Sequence, residues 1–361
     1  MAAGDIELEV IAGHDLHRYR PAWRELIQHG DVTPFAFPGF FRAWCEAFAG
    51  ERVGFAVIGR RGSSLELVLP LWHMRDQPDE WNSLGAFRAD YTEAITRAED
   101  PELGASFWRW LTRHAPCRSA RIARAPGDSL LGRSIPTTAF DRRGRMITAA
   151  STLLATRRAR YLTTHVHDEH PYADRGQIES LADRVDRPAT RRNLKMLEKH
   201  GHVTYEVVYE PNEVRALLPT LFAMHAANFA GTGRESQFTR IEEQTFVEKL
   251  VAQPDLAGVI YMDVLRCAGR PVAVHLGFQH RGRIYYNKPT FDLELAKASP
   301  GKSLLAHLFA RAQREGIERV DLLKGTESYK AEWANQSRRT FTTLLAERRL
   351  RDLARAMVRG S

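Results

Sequence analysis

The stretch Val320–Trp333, VDLLKGTESYKAEW, changes from apolar to charged within a few positions. Its start is typical of a short buried strand, and its continuation is rich in charged, hydroxyl and aromatic side chains. Ligands bind beyond the carboxyl ends of strands in open α/β sheets. The pattern therefore predicts a central strand over 320–323 and a candidate site in the residues after it. A solvated surface loop with local ion pairs is the alternative that this pattern leaves open.

Ionisable side chains are concentrated directly after this predicted strand. An acid, a phenol and an amine in one place can orient an acceptor, take its proton and stabilise an oxyanion. The candidate catalytic residues of this segment are Asp321, Glu327, Tyr329 and Lys330.

His275 lies within PVAVHLGF, an otherwise apolar stretch that is typical of a strand. Because the ordinary pKa of histidine is near neutrality, a His275 that faces the charged segment is a candidate catalytic general base. A histidine whose hydrogen bonds are satisfied within the core explains the pattern equally well. The next predicted strand, IYYNKPTFD, supplies Tyr286, Asn287 and Asp292 as candidate substrate-binding residues.

The segment SPGKS precedes an amphipathic helix predicted over 302–315. It is not a P-loop, because Ala296 stands where that motif requires a glycine. A helix start still exposes N–H donors and the positive end of the helix dipole, which favour a pyrophosphate or another anion. A plain helix start capped by Ser299 is the alternative. The candidate cofactor-binding residues are Ser299, Pro300, Gly301, Lys302 and Ser303.

Both halves of the chain show the same order of predicted elements: strand, helix, helix, strand, strand. This order predicts an α/β fold made of two tandem modules. The first half contains a predicted hairpin, with strands over 53–58 and 65–72 joined by the turn GRRGSS. We place the boundary near residue 185, which gives an N-terminal domain over 1–185 and a C-terminal domain over 186–361.

Composition narrows the class of protein and its partners. A length of 361 residues suits two domains. The net charge of +8 favours an anionic partner, such as a nucleotide-bearing cofactor, RNA or an acidic membrane face, although an arginine-rich coding bias gives the same charge. Three widely spaced cysteines without a CxxC motif argue against disulfides and a zinc site, so we expect no metal. Neither a signal peptide nor an apolar membrane span is visible, which predicts a cytoplasmic protein.

Several segments resemble one acyltransferase family. The stretches GRPVAVHLGFQHRGRIYYNKPTFD and SPGKSLLAHLFARAQREGIERVDLLKGTESYKAEW are similar to the CelD/BioF-like acyltransferase domain of the GNAT superfamily, which is related to the Fem peptidyltransferases. Weaker matches upstream, among them LGAFRADYTE and RRNLKMLEKHG, extend the resemblance over most of the chain. The usual GNAT pyrophosphate signature, Q/R-x-x-G-x-G/A, is not visible in this sequence.

The resemblance implies two tandem GNAT-like domains, each a mixed, mostly antiparallel sheet flanked by helices, with an acyltransferase site in the second. The implied reaction moves an acyl group from acyl-CoA or acetyl-CoA to an amine or hydroxyl of a small molecule, lipid or saccharide, in the setting of envelope synthesis. The first alternative is a transferase that uses aminoacyl-tRNA, and the second is a non-catalytic binding module. The tail RRLRDLARAMVRG would then contact an acidic membrane, peripheral to the inner membrane.

Overall fold

The computed structural model describes residues 6–97, 100–135, 139–140, 146–153, 158–230, 232–325 and 327–349. Its strands, in chain order, are β1 Glu7–Ala12, β2 Arg52–Arg61, β3 Ser64–Met74, β4 Gln77–Ser83, β5 Ile95–Thr96, β6 Ser119–Pro126, β7 Ala139–Phe140, β8 Met146–Leu153, β9 Arg158–Asp174, β10 Val203–Val208, β11 Ile260–Cys267, β12 Arg270–His280, β13 Arg283–Phe291, β14 Arg319–Asp321 and β15 Gln336–Arg349. Its α-helices are α1 Arg20–His29, α2 Pro38–Ala47, α3 Pro101–Arg113, α4 Leu130–Arg133, α5 Arg175–Leu181, α6 Pro188–Glu198, α7 Pro211–Phe229, α8 Ile241–Val251 and α9 Pro300–Arg314.

The chain forms two compact units. Unit 1 contains the described residues up to Glu169 together with those from Arg338 onward, and unit 2 contains His170–Ser337. The domain boundary that we place near residue 185 stays a prediction, because compactness divides the chain at other positions. The predicted membrane contact of the C-terminal tail concerns a segment that, from residue 350 on, lies outside the described residues.

Unit 1 holds a mixed, mostly antiparallel sheet in the order β1-β2-β3-β4-β6-β15. The predicted hairpin is confirmed, since β2 and β3 pair antiparallel around a turn at Gly62, whose φ of +60° suits glycine. Only β4 and β6 run parallel along this order. Helix α3 packs Phe107, Trp108 and Leu111 into the core of the unit.

The strands of unit 2 follow the order β14-β13-β12-β11-β10, with the end of β9 on the other side of β14. Strands β13 and β14 run parallel, and the remaining pairs are antiparallel. The central strand predicted at 320–323 is confirmed as β14, although it ends earlier, at Asp321. It stops there because Leu323 adopts a left-handed backbone with φ of +58°, which cannot continue a strand.

Strand β9 continues through Pro171 and ends at Asp174. Its last residues pair with β14, from Tyr172 opposite Asp321 to Asp174 opposite Arg319. The backbone groups at the end of β9 are thus hydrogen-bonded to β14, a strand that is distant in sequence.

A β-bulge in β13 determines the shape of unit 2. Leu276 pairs with Lys288 and Phe278 pairs with Tyr285, so two β13 residues, Tyr286 and Asn287, lie opposite the single Gly277. Pairing of β13 with β14 ends at Tyr285, directly before the bulge. A bulge bends its strand and increases the local twist. The second half of β13 is therefore free of β14, and the chain around it encloses a pocket.

A buried charge cluster lies beneath this bulge. The Asp263 carboxylate is fully buried, accepts a 2.6 Å hydrogen bond from the Tyr205 hydroxyl, and lies 2.8 Å from Nδ1 of His275. Strand register explains this pair, since Asp263 and His275 stand directly opposite each other on β11 and β12. The guanidinium of Arg311, from α9, is 3.5 Å from Asp263 and hydrogen-bonds the side chains of Tyr209, Gln279 and Glu315.

We predict that Arg311→Met destabilises unit 2 by about 3–5 kcal/mol, because it leaves the Asp263 carboxylate buried without its compensating charge. Arg314→Met is the matched control, since Arg314 lies exposed on the same helix and its loss should change stability by less than about 0.5 kcal/mol. Hydrogen exchange of the β11 and β12 amides measures both values. Equal exchange rates in the two variants would show that the cluster contributes nothing to stability.

Candidate active site in unit 2

A pocket of about 410 Å³ opens where β13 separates from β14. Four segments of unit 2 form its walls: the C-terminal end of α7, the second half of β13, the start of α9 and the segment after β14. Its lining residues are His225, Asn228, Phe229, Tyr286, Pro289, Thr290, Phe291, Ala296, Ser299, Gly301, Lys302, Leu304, Leu305, Tyr329 and Trp333.

Two phenols, Tyr286 and Tyr329, line this pocket. Burial raises the pKa of Tyr286 well above its usual value, with smaller contributions from Tyr329 and Asp263. Burial, followed by the carboxylate of Glu327, also raises the pKa of Tyr329. Both phenols therefore stay protonated at neutral pH. In the part of the chain that the structure describes, neither hydroxyl has a hydrogen-bond partner, so both are available to a bound molecule.

His275 does not line the pocket; it lies fully buried behind Tyr286, with ring centroids 4.2 Å apart. Its Nε2 accepts a 3.2 Å hydrogen bond from the Asn287 amide, which the bulge has removed from the strand ladder. Because Nε2 is an acceptor, Nδ1 carries the ring proton and donates a hydrogen bond to the Asp263 carboxylate. Burial lowers the pKa of His275, which keeps the ring neutral. This geometry makes His275 a positioning residue for the bulge, and its role as a base stays a prediction.

The segment after β14 uses most of its predicted catalytic side chains to hold its own turn. Asp321 accepts a 2.8 Å hydrogen bond from the Leu323 amide. The Lys330 ammonium is nearly buried, donates to the Lys324 carbonyl at 2.6 Å, and lies 3.0 Å from the Glu327 carboxylate. These contacts fix the turn that presents Tyr329. Of Asp321, Glu327, Tyr329 and Lys330, only Tyr329 lines the pocket.

The predicted anion-binding segment borders the pocket through Ser299, Gly301 and Lys302. Ser299 has a left-handed backbone with φ of +47°, and its carbonyl accepts the amides of Lys302 and Ser303 at 3.1 and 3.2 Å. Pro300 has no N–H, so the helix start offers fewer free donors than its position suggests. Lys302 contributes an exposed positive charge, 3.9 Å from Glu332.

The predicted substrate-binding residues divide in the same way. Tyr286 lines the pocket, whereas Asn287 contributes its amide to His275. Asp292 begins the 3₁₀ helix Leu293–Ala298 by accepting the Glu294 amide at 3.0 Å, and it also lies 2.7 Å from Arg270. Asp292 is therefore a structural cap.

The contribution of α7 to the pocket was not predicted from the sequence. His225 and Asn228 are three residues apart on this helix, and both line the pocket. The Asn228 amide group donates to the carbonyls of Met224 and Phe291 and to the Thr290 hydroxyl, which ties α7 to β13. The available signal was the sequence FAMHAANF, in which two polar residues interrupt an apolar helix at helical spacing.

His225 is held as a neutral imidazole at the edge of the pocket. Its ring stacks on Phe229 with centroids 4.7 Å apart, and Nδ1 lies 2.7 Å from the Ser236 hydroxyl. Burial, with a smaller contribution from Lys288, lowers the pKa of His225 to about 4. Nε2 has no hydrogen-bond partner within the described ranges, and it is an acceptor when Nδ1 carries the ring proton and donates to Ser236.

Among the described residues, no group of three or more His, Cys, Asp and Glu side chains is arranged to hold a metal ion. Within the same ranges, none of the helices combines the length and the apolar character needed to cross a membrane.

The lowered pKa of His225 predicts a loss of stability in acid. The unfolded chain binds a proton at this residue near pH 6.5, whereas the folded chain does so only near pH 4, so the free energy of unfolding falls as pH drops through this window. When the unfolded chain binds one proton more than the folded chain, the free energy of unfolding changes by about 1.4 kcal/mol per pH unit. Solvent screening at this partly exposed ring reduces the change to about 1 kcal/mol per pH unit. Urea unfolding between pH 4 and 7 should show a shallower slope for His225→Gln; an unchanged slope would contradict the assignment.

Comparison with known proteins places this geometry in a family. Residues 186–331 match the model of the acetyltransferase (GNAT) domain. No curated protein matches the sequence significantly. Three solved structures are similar over nearly the whole chain: the C-terminal domain of a putative lysylphosphatidylglycerol synthetase from Agrobacterium fabrum (13% identity, 95% of this chain and 94% of that chain, TM-score 0.51), FemX (8%, 97% and 99%, 0.55) and a conserved protein of unknown function from Bacteroides thetaiotaomicron (10%, 94% and 100%, 0.55).

At these identities the structural likeness shows the fold alone. It confirms the predicted fold class of mixed, mostly antiparallel sheet flanked by helices and the predicted likeness in fold to Fem-type proteins. The family match covers the bulge, the phenol Tyr286, the start of α9 and the segment that carries Tyr329. Residues 186–331 thus match a GNAT-type acetyltransferase domain, and the protein is an acyltransferase of that fold.

Proposed function

We propose that unit 2 transfers an acyl group from a coenzyme A thioester to an amine or hydroxyl acceptor in the pocket beside the β13 bulge. One observation carries the proposal: two protonated phenols, Tyr286 and Tyr329, face the same pocket with hydroxyls that the described chain leaves without partners. Acyl transfer needs hydrogen-bond donors at two atoms, the carbonyl oxygen and the departing sulfur.

The reaction on this proposal is direct transfer. The acceptor nitrogen or oxygen attacks the thioester carbonyl carbon, and the C–S bond breaks with its electron pair going to sulfur. Tyr329 donates its proton to that sulfur, which yields free coenzyme A. Tyr286, fixed in place by His275, donates a hydrogen bond to the carbonyl oxygen as negative charge develops there. The products are the acylated acceptor and the thiol.

The acceptor proton goes to His225 or to Glu327. His225 lines the pocket, its ring is neutral at neutral pH, and Nε2 accepts a proton in the tautomer whose Nδ1–H donates to the Ser236 hydroxyl. Glu327 precedes Tyr329 closely in sequence, but its carboxylate is paired with Lys330 and lies outside the lining. We therefore assign the base to His225. His275 and Glu327, the bases that the sequence favoured, are the competing assignments, and both lie outside the lining.

The donor is held at the start of α9. Lys302 and the positive end of the helix dipole face the same pocket as the phenols, so an anionic diphosphate at the pocket mouth would place its thioester inside. Acetyl-CoA is the smallest donor that this arrangement accommodates. The acceptor is a small molecule, a lipid or a saccharide precursor. Because the sequence predicts a cytoplasmic protein, we expect the acceptor to be present in the cytoplasm.

Aminoacyl-tRNA is the second candidate donor, because α6 carries an exposed basic face. Arg192, Lys195 and Lys199 are exposed on one side of this helix and its C-terminal end, and the described part of the chain offers none of them an ion-pair partner. Backbone phosphates of RNA bind such faces with strong salt dependence. A non-catalytic role as a binding module is an outcome of the same experiments.

Three single substitutions test the assigned roles. We expect His225→Gln and Tyr329→Phe each to lower kcat about 100-fold, because a general base or acid contributes roughly this factor. Glu327→Gln should change kcat by less than about 3-fold, since its carboxylate lies outside the lining. The measurement is release of coenzyme A from acyl-CoA with a panel of amino sugars, amino alcohols and amino acids. A 100-fold loss in Glu327→Gln with an active His225→Gln would transfer the base to Glu327.

Binding separates the two donors. Free coenzyme A should raise the thermal midpoint of the protein, because it binds only the folded state, and Lys302→Glu should remove most of this shift. Deacylated tRNA should give no comparable shift at physiological salt. The opposite pattern, with a tRNA effect that Lys195→Glu abolishes and no effect of coenzyme A, would select the aminoacyl-tRNA alternative. A protein that responds to neither, and releases no coenzyme A, is a binding module for another ligand.

A further inference from the structure

The pocket of unit 2 ends in an apolar chamber. Leu304, Leu305 and Trp333 line it while being almost fully buried, at 1%, 2% and 3% exposure, so they form its closed end. Phe229 and Phe291 add aromatic walls. The polar groups of the lining belong to other side chains, among them Lys302 and the two phenols. The pocket therefore has a polar side for the reacting atoms and an apolar side for something else.

The apolar part of the lining is larger than an acetyl group covers, because five apolar side chains contribute to it: Phe229, Phe291, Leu304, Leu305 and Trp333. Acetyl contributes only one methyl beyond its carbonyl. Apolar walls without an occupant lose dispersion contacts, and apolar surface gains most when an apolar ligand covers it.

The charge of the lining excludes an aminoacyl group from this chamber. No aspartate or glutamate is among the described residues that line the pocket. An aminoacyl group carries an α-ammonium, which is costly to bury unless a carboxylate compensates it. Glu327, on the same segment as Tyr329, is already paired with Lys330 at 3.0 Å. A neutral acyl chain meets no such penalty.

We propose that the donor carries a medium-length apolar acyl chain, longer than acetyl, whose tail lies against Leu304, Leu305 and Trp333. This inference rests on the proposed acyl transfer from coenzyme A and names the acyl group of that donor. The chain occupies the closed end of the pocket, its thioester carbonyl lies at the two phenols, and the coenzyme extends past Lys302. After transfer, the product is an amide or ester of a medium-chain acid, with coenzyme A as the thiol.

Calorimetric titration with coenzyme A, acetyl-CoA and octanoyl-CoA tests this assignment without knowledge of the acceptor. Each fully buried methylene strengthens binding about 4-fold. Partial burial of the chain should therefore make the Kd of octanoyl-CoA at least about 10-fold lower than that of acetyl-CoA. Acetyl-CoA should bind within about 3-fold of free coenzyme A.

Substitutions at the closed end locate the chain. Leu305→Phe fills the chamber and should weaken octanoyl-CoA at least about 10-fold while leaving free coenzyme A within about 3-fold. Leu293→Phe is the matched control, because Leu293 lies exposed on the neighbouring 3₁₀ helix outside the lining and should alter neither Kd. Thermal unfolding verifies that the variants fold; if Leu305→Phe is unfolded, Ala296→Trp, at an exposed lining position, replaces it.

The possible outcomes separate this inference from the proposed function. Tight coenzyme A binding with equal affinities for acetyl-CoA and octanoyl-CoA would overturn the acyl-chain assignment and leave acyl transfer from coenzyme A intact. Octanoyl-CoA that binds tightly but is insensitive to both Leu305→Phe and Ala296→Trp would place the chain outside this chamber and also overturn the inference. Absence of binding by coenzyme A and by every thioester would instead remove the proposed function itself.

Discussion

Burial of the Asp263 carboxylate is the constraint on which the rest of unit 2 depends. A charge in a dry core must be compensated, and here Tyr205, His275 and Arg311 compensate it from three different elements. His275 links Asp263 to the bulge, because its second ring nitrogen accepts a hydrogen bond from the Asn287 amide. The bulge of β13 is thereby held in one conformation, which a strand ladder alone does not do.

The pocket follows from this bulge. Once β13 bends away from β14, the residues behind the bulge have no neighbouring strand on one side, and side chains from α7, α9 and the segment after β14 close around the gap. Burial then favours the neutral form of three side chains there. It keeps Tyr286 and Tyr329 protonated and His225 unprotonated, which are the states that donation to sulfur and acceptance from an amine require.

In the charged segment after β14, the sequence pattern predicts the turn but not the roles of its side chains. The pattern located a turn at the end of a central strand, and the structure contains that turn. It also favoured Lys330 and Asp321 as chemical groups, whereas both side chains satisfy backbone groups of the turn itself. Local sequence reports which polar groups are present, but their hydrogen-bond partners depend on backbone geometry. On α7, in contrast, the sequence did not indicate a site. His225 and Asn228 line the pocket because that helix packs against β13.

The sequence by itself determined the local elements, the tandem α/β organisation, the family and the presence of a phenol, Tyr329, beyond a short strand, because periodicity, turn residues and motif spacing are properties of neighbouring positions. Tertiary structure decided which side chains share the pocket. That choice depends on strand register and on burial, which bring together residues more than 100 positions apart, from His225 to Trp333. Burial also sets protonation, since the free energy of a charge depends on the solvent that surrounding elements exclude.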